Sequence, residues 1–158
     1  MFRALRLREG LRTPFRLPRD LFRMLDFYLL FPASLEGVRF RPEHRRLKRQ
    51  AAATKRPPSY GPQPEDGVLF ERMRPFQDAA LDTLALQEFF SNEALDEGWV
   101  EPTDKPESPE LAERVQAANR AEESLLEALR TIATDYRLEG VNGLKDRTRL
   151  LEHRYDAV

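Results

Sequence analysis

His44 and His153 are the only histidines in this chain, and it has no cysteine. A transition-metal site would therefore rest on carboxylates, because neither H-x-x-x-H nor H-E-x-x-H spacing occurs. Both histidines read as surface residues, and no metal or other cofactor is expected. The carboxylate pairs Asp78/Asp82 and Glu122/Glu123 read as exposed helix positions with nothing beside them to tune their ionisation. Gly37, Gly61, Gly67 and Gly98 stand alone, and Gly140 with Gly143 fits neither G-x-G-x-x-G nor the Walker pattern. No set of nucleophile, base and metal converges, so no catalytic residue is assigned and no enzyme is expected. What the chain does hold is positive charge. Arg39, Arg41, Arg45, Arg46, Lys48, Arg49, Lys55 and Arg56 fall within residues 39–56, with Phe40 and Tyr60 at the margins. Phosphate contact needs a positive cluster and little else. The bland alternatives are a solvated face, or pairing with the acidic span 63–113, where 14 acids face 3 bases.

That cluster belongs to a wider split of charge. Residues 1–58 hold 15 of the 26 Lys and Arg but only 5 of the 27 acids, a net of +10, so the remainder carries −11. A basic half of this kind has surface to give to nucleic acid, to an acidic partner, or to its own acidic half. At 158 residues, one domain is expected across 1–158. With 41% hydrophobic and 34% charged residues, its core should be small. Lack of cysteine suits a reducing cytoplasm. The basic N-terminus has no apolar stretch behind it and so does not read as a secretory signal, although an Arg-rich, acid-poor start can also resemble a transit peptide. The dense apolar run at 21–31 is shorter than the roughly 20 residues that cross a bilayer, and no membrane contact is expected.

The elements follow from periodicity and punctuation, and they predict a mainly α fold. Residues 1–17, with Leu5, Leu7 and Leu11 among arginines, read as a basic arm that orders on binding. Pro18 opens a helix predicted from Arg19 to Phe31, which stops before Pro32. It is apolar nearly all round, so it is expected to be buried on most sides. Leu21, Phe22, Leu25, Phe27, Tyr28, Leu29, Leu30 and Phe31 are therefore candidate partner-binding residues, with a plain core helix as the alternative. Short strands are predicted at 38–41 and 99–101, and one or two basic helical turns at 42–54. Residues 56–67, with four prolines and two glycines, read as an internal loop. A second helix is predicted to start at Pro75 and reach Glu93 or Leu95, and 103–109 reads as a polar loop. Ser108 caps a long C-terminal amphipathic helix with Pro109 in its first turn. Its apolar positions Leu111, Val115, Ala118, Leu125, Leu129, Ile132 and Tyr136 form a heptad seam that Glu122 interrupts. That seam would suit a coiled-coil partner or the chain's own core. Gly140 is placed to end the helix, and a last short helix follows, with Leu144, Thr148 and Leu151 on one face.

Two segments carry a resemblance. Arg23-Met24-Leu25-Asp26-Phe27-Tyr28-Leu29-Leu30-Phe31-Pro32 resembles the R-[ILM]-L-D-[FY]-Y-L-L-F-P signature of the small middle components of ABC-three-component defence systems. Gly143-Leu144-Lys145-Asp146-Arg147-Thr148, followed by Glu152-His153-Arg154-Tyr155-Asp156, resembles the G-L-K-x-R-T…E-x-R-Y-D ending of the same group. The resemblance implies a small helical subunit accompanying an SMC-like ABC ATPase and an effector, often a nuclease, as in Lamassu-type anti-phage systems. It implies no catalytic residues. It also implies a fold akin to winged-helix accessory subunits, for which the two predicted strands would supply a wing.

The expected function is thus a non-catalytic bridging subunit. It would link an SMC-like ATPase to an effector nuclease and hold or release that effector when foreign double-stranded DNA is sensed. The alternative is a stand-alone winged-helix DNA-binding regulator. Against it, the best-formed predicted helices are acidic or mixed and offer no recognition face for base edges.

Overall fold

The computed structural model describes residues 1–12, 14–54, 56 and 64–151. The chain runs through α1 (Phe2–Gly10), β1 (Leu17–Pro18), α2 (Arg19–Leu30), two 3-10 segments (Pro32–Gly37 and Pro42–His44), α3 (Arg45–Ala52), α4 (Asp66–Leu86), α5 (Asn92–Asp96), β2 (Trp99–Val100), α6 (Pro109–Ala121), α7 (Glu123–Asp135) and α8 (Leu144–Thr148). The mainly α class is as predicted. One contiguous apolar cluster draws residues from every helix. No helix among the described residues is long and apolar enough to cross a membrane.

α2 is the axis of this fold. Every residue from Leu21 to Leu29 is buried, because α1, α4, α7, the first 3-10 segment and the two short strands pack round it. Each large apolar side chain enclosed in this way contributes about 1.5–3 kcal/mol. Phe27 makes an aromatic cluster with Phe70 and Phe31, at 5.8 and 5.2 Å between ring centroids. Phe31 closes the helix with its N–H on the Phe27 carbonyl (2.8 Å), one residue before Pro32. The helix predicted from proline placement is therefore present almost to the residue.

The N-terminal segment departs from its prediction. Residues 2–10 are helical and Ala4, Leu5 and Leu7 enter the core, with Leu11 just beyond. Gly10 marks a close crossing with α7: a Cβ there would lie 2.4 Å from Leu126 Cδ1. Arginine and leucine are strong helix formers, and tertiary packing fixes what their alternation left open. The segment read as a basic arm is thus helical over Phe2–Gly10.

The predicted strand at 99–101 forms as β2, but its partner is β1, in antiparallel register Leu17↔Val100 and Pro18↔Trp99. Residues 38–41 are not a strand. They link the two 3-10 segments, and the Arg39 N–H bonds to the Arg147 carbonyl instead. A wing is a hairpin of successive strands, whereas β1 and β2 are separated by α2 to α5.

α4 starts nine residues before the predicted Pro75, which sits in its interior. Proline there removes a donor and crowds the Glu71 carbonyl, at a cost of about 3 kcal/mol. Burial of Phe70 against Phe27 and under the Arg23 guanidinium (4.7 Å) offsets that cost. The helix ends at Leu86, because Glu88 takes a left-handed φ of 64°. A separate α5 then begins at its Ser91 cap.

The long C-terminal helix is two helices. Ser108 caps α6 by accepting the Leu111 N–H, as predicted, and Pro109 opens it. The run breaks at Glu122 (φ −125°, ψ 35°), in the slot where the heptad seam was interrupted. Val115, Leu125, Leu129 and Ile132 are buried, so most of the seam is consumed inside this chain. α7 stops at Asp135 with Tyr136 extended, and Gly140 instead supplies a positive φ of 89° in the turn before α8. Residues 103–108, within the predicted polar loop 103–109, have no helix, and Pro109 already belongs to α6. Most of the proline-rich loop (57–63) and the ending from Glu152 onward, including His153, lie outside the described residues.

Candidate interaction surface on the third helix

The two charge blocks meet inside the molecule, but not where the cluster at 39–56 suggested. All six arginines of residues 1–19 are engaged. Arg3 bonds Asp26 through two nitrogens (2.8 and 3.0 Å). Arg6 reaches Glu122 (2.8 Å), Arg8 pairs with Glu107, and Arg12 reaches Glu123 (2.8 Å). Arg16 pairs with Glu97 and Glu101, and Arg19 faces Asp78 at 3.9 Å. Five of these six therefore find acids in the acidic half. Asn119, buried between α6 and α1, accepts from Arg6 Nε (2.9 Å) and donates to the Arg6 carbonyl (2.9 Å).

The break at Glu122 serves this network. Its carboxylate takes Arg6 from α1 and Arg56 from the end of the α3 connection, and Arg56 also donates to the Leu29 carbonyl at 2.7 Å. Burial alone would push the Glu122 carboxyl up, but hydrogen bonds from Arg56 and Arg6, with their charges, hold it below the usual carboxylate range. The residue that interrupts the heptad is thus a half-buried anchor for two arginines. Its i,i+7 spacing from Val115 and Leu129 gave the only sequence signal of a special role.

The candidate nucleic-acid residues separate into two groups. Arg39 pairs with Asp146 (2.9 Å) and ties α8 to the 3-10 connection. The Arg41 guanidinium stacks over the Tyr136 ring at 4.9 Å, while the Arg41 backbone N–H donates to the Tyr136 hydroxyl (2.9 Å). Lys48 donates to the Val38 carbonyl (2.8 Å), and Arg56 is held by Glu122. Lys55 lies outside the described residues. Arg45, Arg46 and Arg49 remain. They are exposed on the outer face of α3, and among the described residues their side chains make no hydrogen bond or ion pair. Leu47, Ala51 and Ala52 turn inward against α7 and the first 3-10 segment. Arg45 and Arg49 lie one turn apart and line a groove of about 770 Å³, floored by Val38 and Phe40, with Glu36 at its edge.

Stability does not explain that arrangement. Arg45 and Arg46 occupy the first turn of α3, at the positive end of the helix dipole, with no acid in the turn and no side-chain cap from His44. Cations there are unfavourable by a few tenths to 1 kcal/mol each. Neighbours at i,i+3 and i,i+4 with the same charge add to the cost.

The candidate partner-binding residues are placed differently. Leu21, Phe22, Leu25, Phe27, Tyr28 and Leu29 are 0–4% exposed within the chain's own core. Leu30 and Phe31 are half-buried. Six of the eight thus lie in the chain's own core, where α1, α4 and α7 pack on α2. Burial pushes the Tyr28 phenol far up its scale, with Asp66 adding to the shift against a hydrogen bond from Thr148.

His44 was read as a surface residue. It is half-buried between Tyr136 (Nδ1 to the hydroxyl, 2.9 Å) and Asp135 (Nε2 to the carboxylate, 3.4 Å), and it fastens the start of α3 to the end of α7. Tyr136 is 6% exposed, so this trio is a latch rather than an open reaction centre. Among the described residues no three His, Asp or Glu side chains gather as a metal site would need.

The family model described as ABC-three component (ABC-3C) system Middle Component 5 matches residues 1–156. No curated protein and no solved structure matches the chain.

Proposed function

The chain belongs to the Middle Component 5 family of ABC-three component systems, and it is an accessory subunit of such a multi-subunit system; from that premise we propose that it is the non-catalytic bridge of an anti-phage complex. In this reading it joins an SMC-like ABC ATPase to an effector nuclease, and the outer face of α3 lies against the backbone of double-stranded DNA held by the complex. One observation carries the proposal: Arg45, Arg46 and Arg49 make no ion pair among the described residues, while every arginine of residues 1–19 makes one. Three unneutralised guanidinium groups on one short helix suit phosphate contact without base reading. The stand-alone regulator is less well supported. Its wing is not formed by β1 and β2, and α3, at eight residues, is short for a recognition helix.

The test is duplex DNA binding by the purified complex, measured against salt. Reversing Arg45, Arg46 and Arg49 to Glu should weaken binding and lower the slope of log K against log salt by up to about 2.7. An unchanged slope in a complex that still assembles would reduce the α3 face to a solvated surface.

A further inference from the structure

The fold buries most of its large apolar residues, yet leaves Phe76 76% exposed and Met1 58% exposed. Both line one cavity of about 210 Å³ between α1 and α4, with Phe22, Ala80 and Leu81 in its wall. A cavity of about 150 Å³ holds a benzene ring, so this one admits an aliphatic or aromatic side chain. Arg3 and Asp26 neutralise each other at its edge through two hydrogen bonds, and Gln77 bonds the same carboxylate (2.8 Å). The wall is thereby satisfied at Arg3, Asp26 and Gln77, while Arg23, which also lines the cavity, keeps one guanidinium nitrogen, Nη2, without a hydrogen-bond partner among the described residues.

From this cleft an apolar stripe runs along α4. Ala79, Ala80 and Thr83 follow Phe76 at i+3, i+4 and i+7, and Leu86, 80% exposed, lies beyond. Small residues between two large ones leave room for a second helix to approach. The charges flanking the stripe have polarity. Arg72 stands one turn before Phe76, exposed and without an ion pair among the described residues, and Asp82 stands toward the Leu86 end. A helix laid on the stripe is favoured with an acid at the Arg72 end and a base at the Asp82 end.

We propose that this cleft is the socket for an amphipathic helix of a partner subunit, which seats one apolar side chain between Met1 and Phe76 and sets an acidic residue against Arg72. The proposal rests on the reading of the chain as a subunit that joins others. It moves the partner contact from the buried residues of α2 to the outer face of α4.

The experiment places a photo-crosslinking benzoylphenylalanine at position 76 of the tagged chain, in cells expressing the complete system, and maps the crosslinked peptide by mass spectrometry. The expected product joins position 76 to an amphipathic segment of another subunit, with an acidic residue within about two turns. In parallel, Phe76→Arg and Arg72→Glu should each leave the melting temperature of the isolated chain unchanged. Phe76→Arg should lower the co-purified partner about tenfold or more, as loss of a central anchor does. A crosslink only to a second copy of this chain, no crosslink, or wild-type recovery of partner by Phe76→Arg would overturn the socket while leaving the bridging role standing. If even the unmodified chain retains no partner, the bridging role falls and the socket falls with it.

Discussion

Replacing Arg45 and Arg46 together with Glu should make the chain more stable and weaken the proposed contact with DNA. Both residues stand in the first turn of an eight-residue helix that has no acid there and no side-chain cap. Each reversal turns an unfavourable helix-dipole contact into a favourable one, a swing of about 0.6–2 kcal/mol at low salt. Arg49 then faces opposite charges at i−3 and i−4 instead of like ones, which adds about 0.2–0.5 kcal/mol per pair. Exposure and salt pull these figures to their lower ends, and Glu43 just before α3 subtracts from the gain. A net of about 1 kcal/mol remains, which raises the melting temperature by about 2–4 °C for a chain of this length. Thermal unfolding followed by circular dichroism in low salt reads the first effect. Fluorescence anisotropy with a labelled duplex across a salt series reads the second, where two lost phosphate contacts lower the slope by about 1.8. A fall in melting temperature would show that these arginines hold α3 together, and the argument from misplaced charge would be wrong.

The other predictions concern the internal network. Glu122→Gln leaves Arg6 and Arg56 facing a neutral group and should cost about 2 kcal/mol at neutral pH, read from urea unfolding. Because the folded carboxyl is held below its ordinary range, the stabilisation is present above that range and is lost as pH falls through the folded value. The gap between wild type and variant should therefore close in acid; a gap independent of pH would mean that shape rather than charge matters. Tyr136→Phe removes the acceptor of the Arg41 N–H and should cost about 1 kcal/mol while speeding hydrogen exchange at that amide; unchanged exchange would remove the latch from the account. Leu25→Asp puts an unpaired carboxylate into the core and should leave no cooperative unfolding transition, rather than a folded chain stripped of its partner.

What was legible in the sequence was whatever local chemistry decides. Proline at 18 and 32 bounded α2, and Ser108 with Pro109 began α6. What long-range pairing decides was hidden. Nothing in Leu5, Leu7 and Leu11 says that their arginine neighbours will be neutralised by acids 99 to 116 residues away, so a docked helix read as an arm. Pro75 looked like a start because Phe70, whose burial carries the helix through it, is partnered from α2. The break at Glu122 was visible as a flaw in the heptad but not as a site, since its two arginines come from distant segments. The basic cluster was legible as a cluster. Which of its members are left outward could be decided only by where Asp146, Tyr136, Val38 and Glu122 fall in the fold.

The central claim, that this accessory subunit joins an ATPase to an effector, is tested most directly by native mass spectrometry of the tagged chain purified in moderate salt from cells expressing the complete system. The expected result is one assembly that contains the ABC ATPase and the effector in fixed proportion to this chain, and that loses the effector when this chain is omitted. Recovery of the chain alone, or an ATPase–effector assembly that forms equally well without it, would contradict the claim.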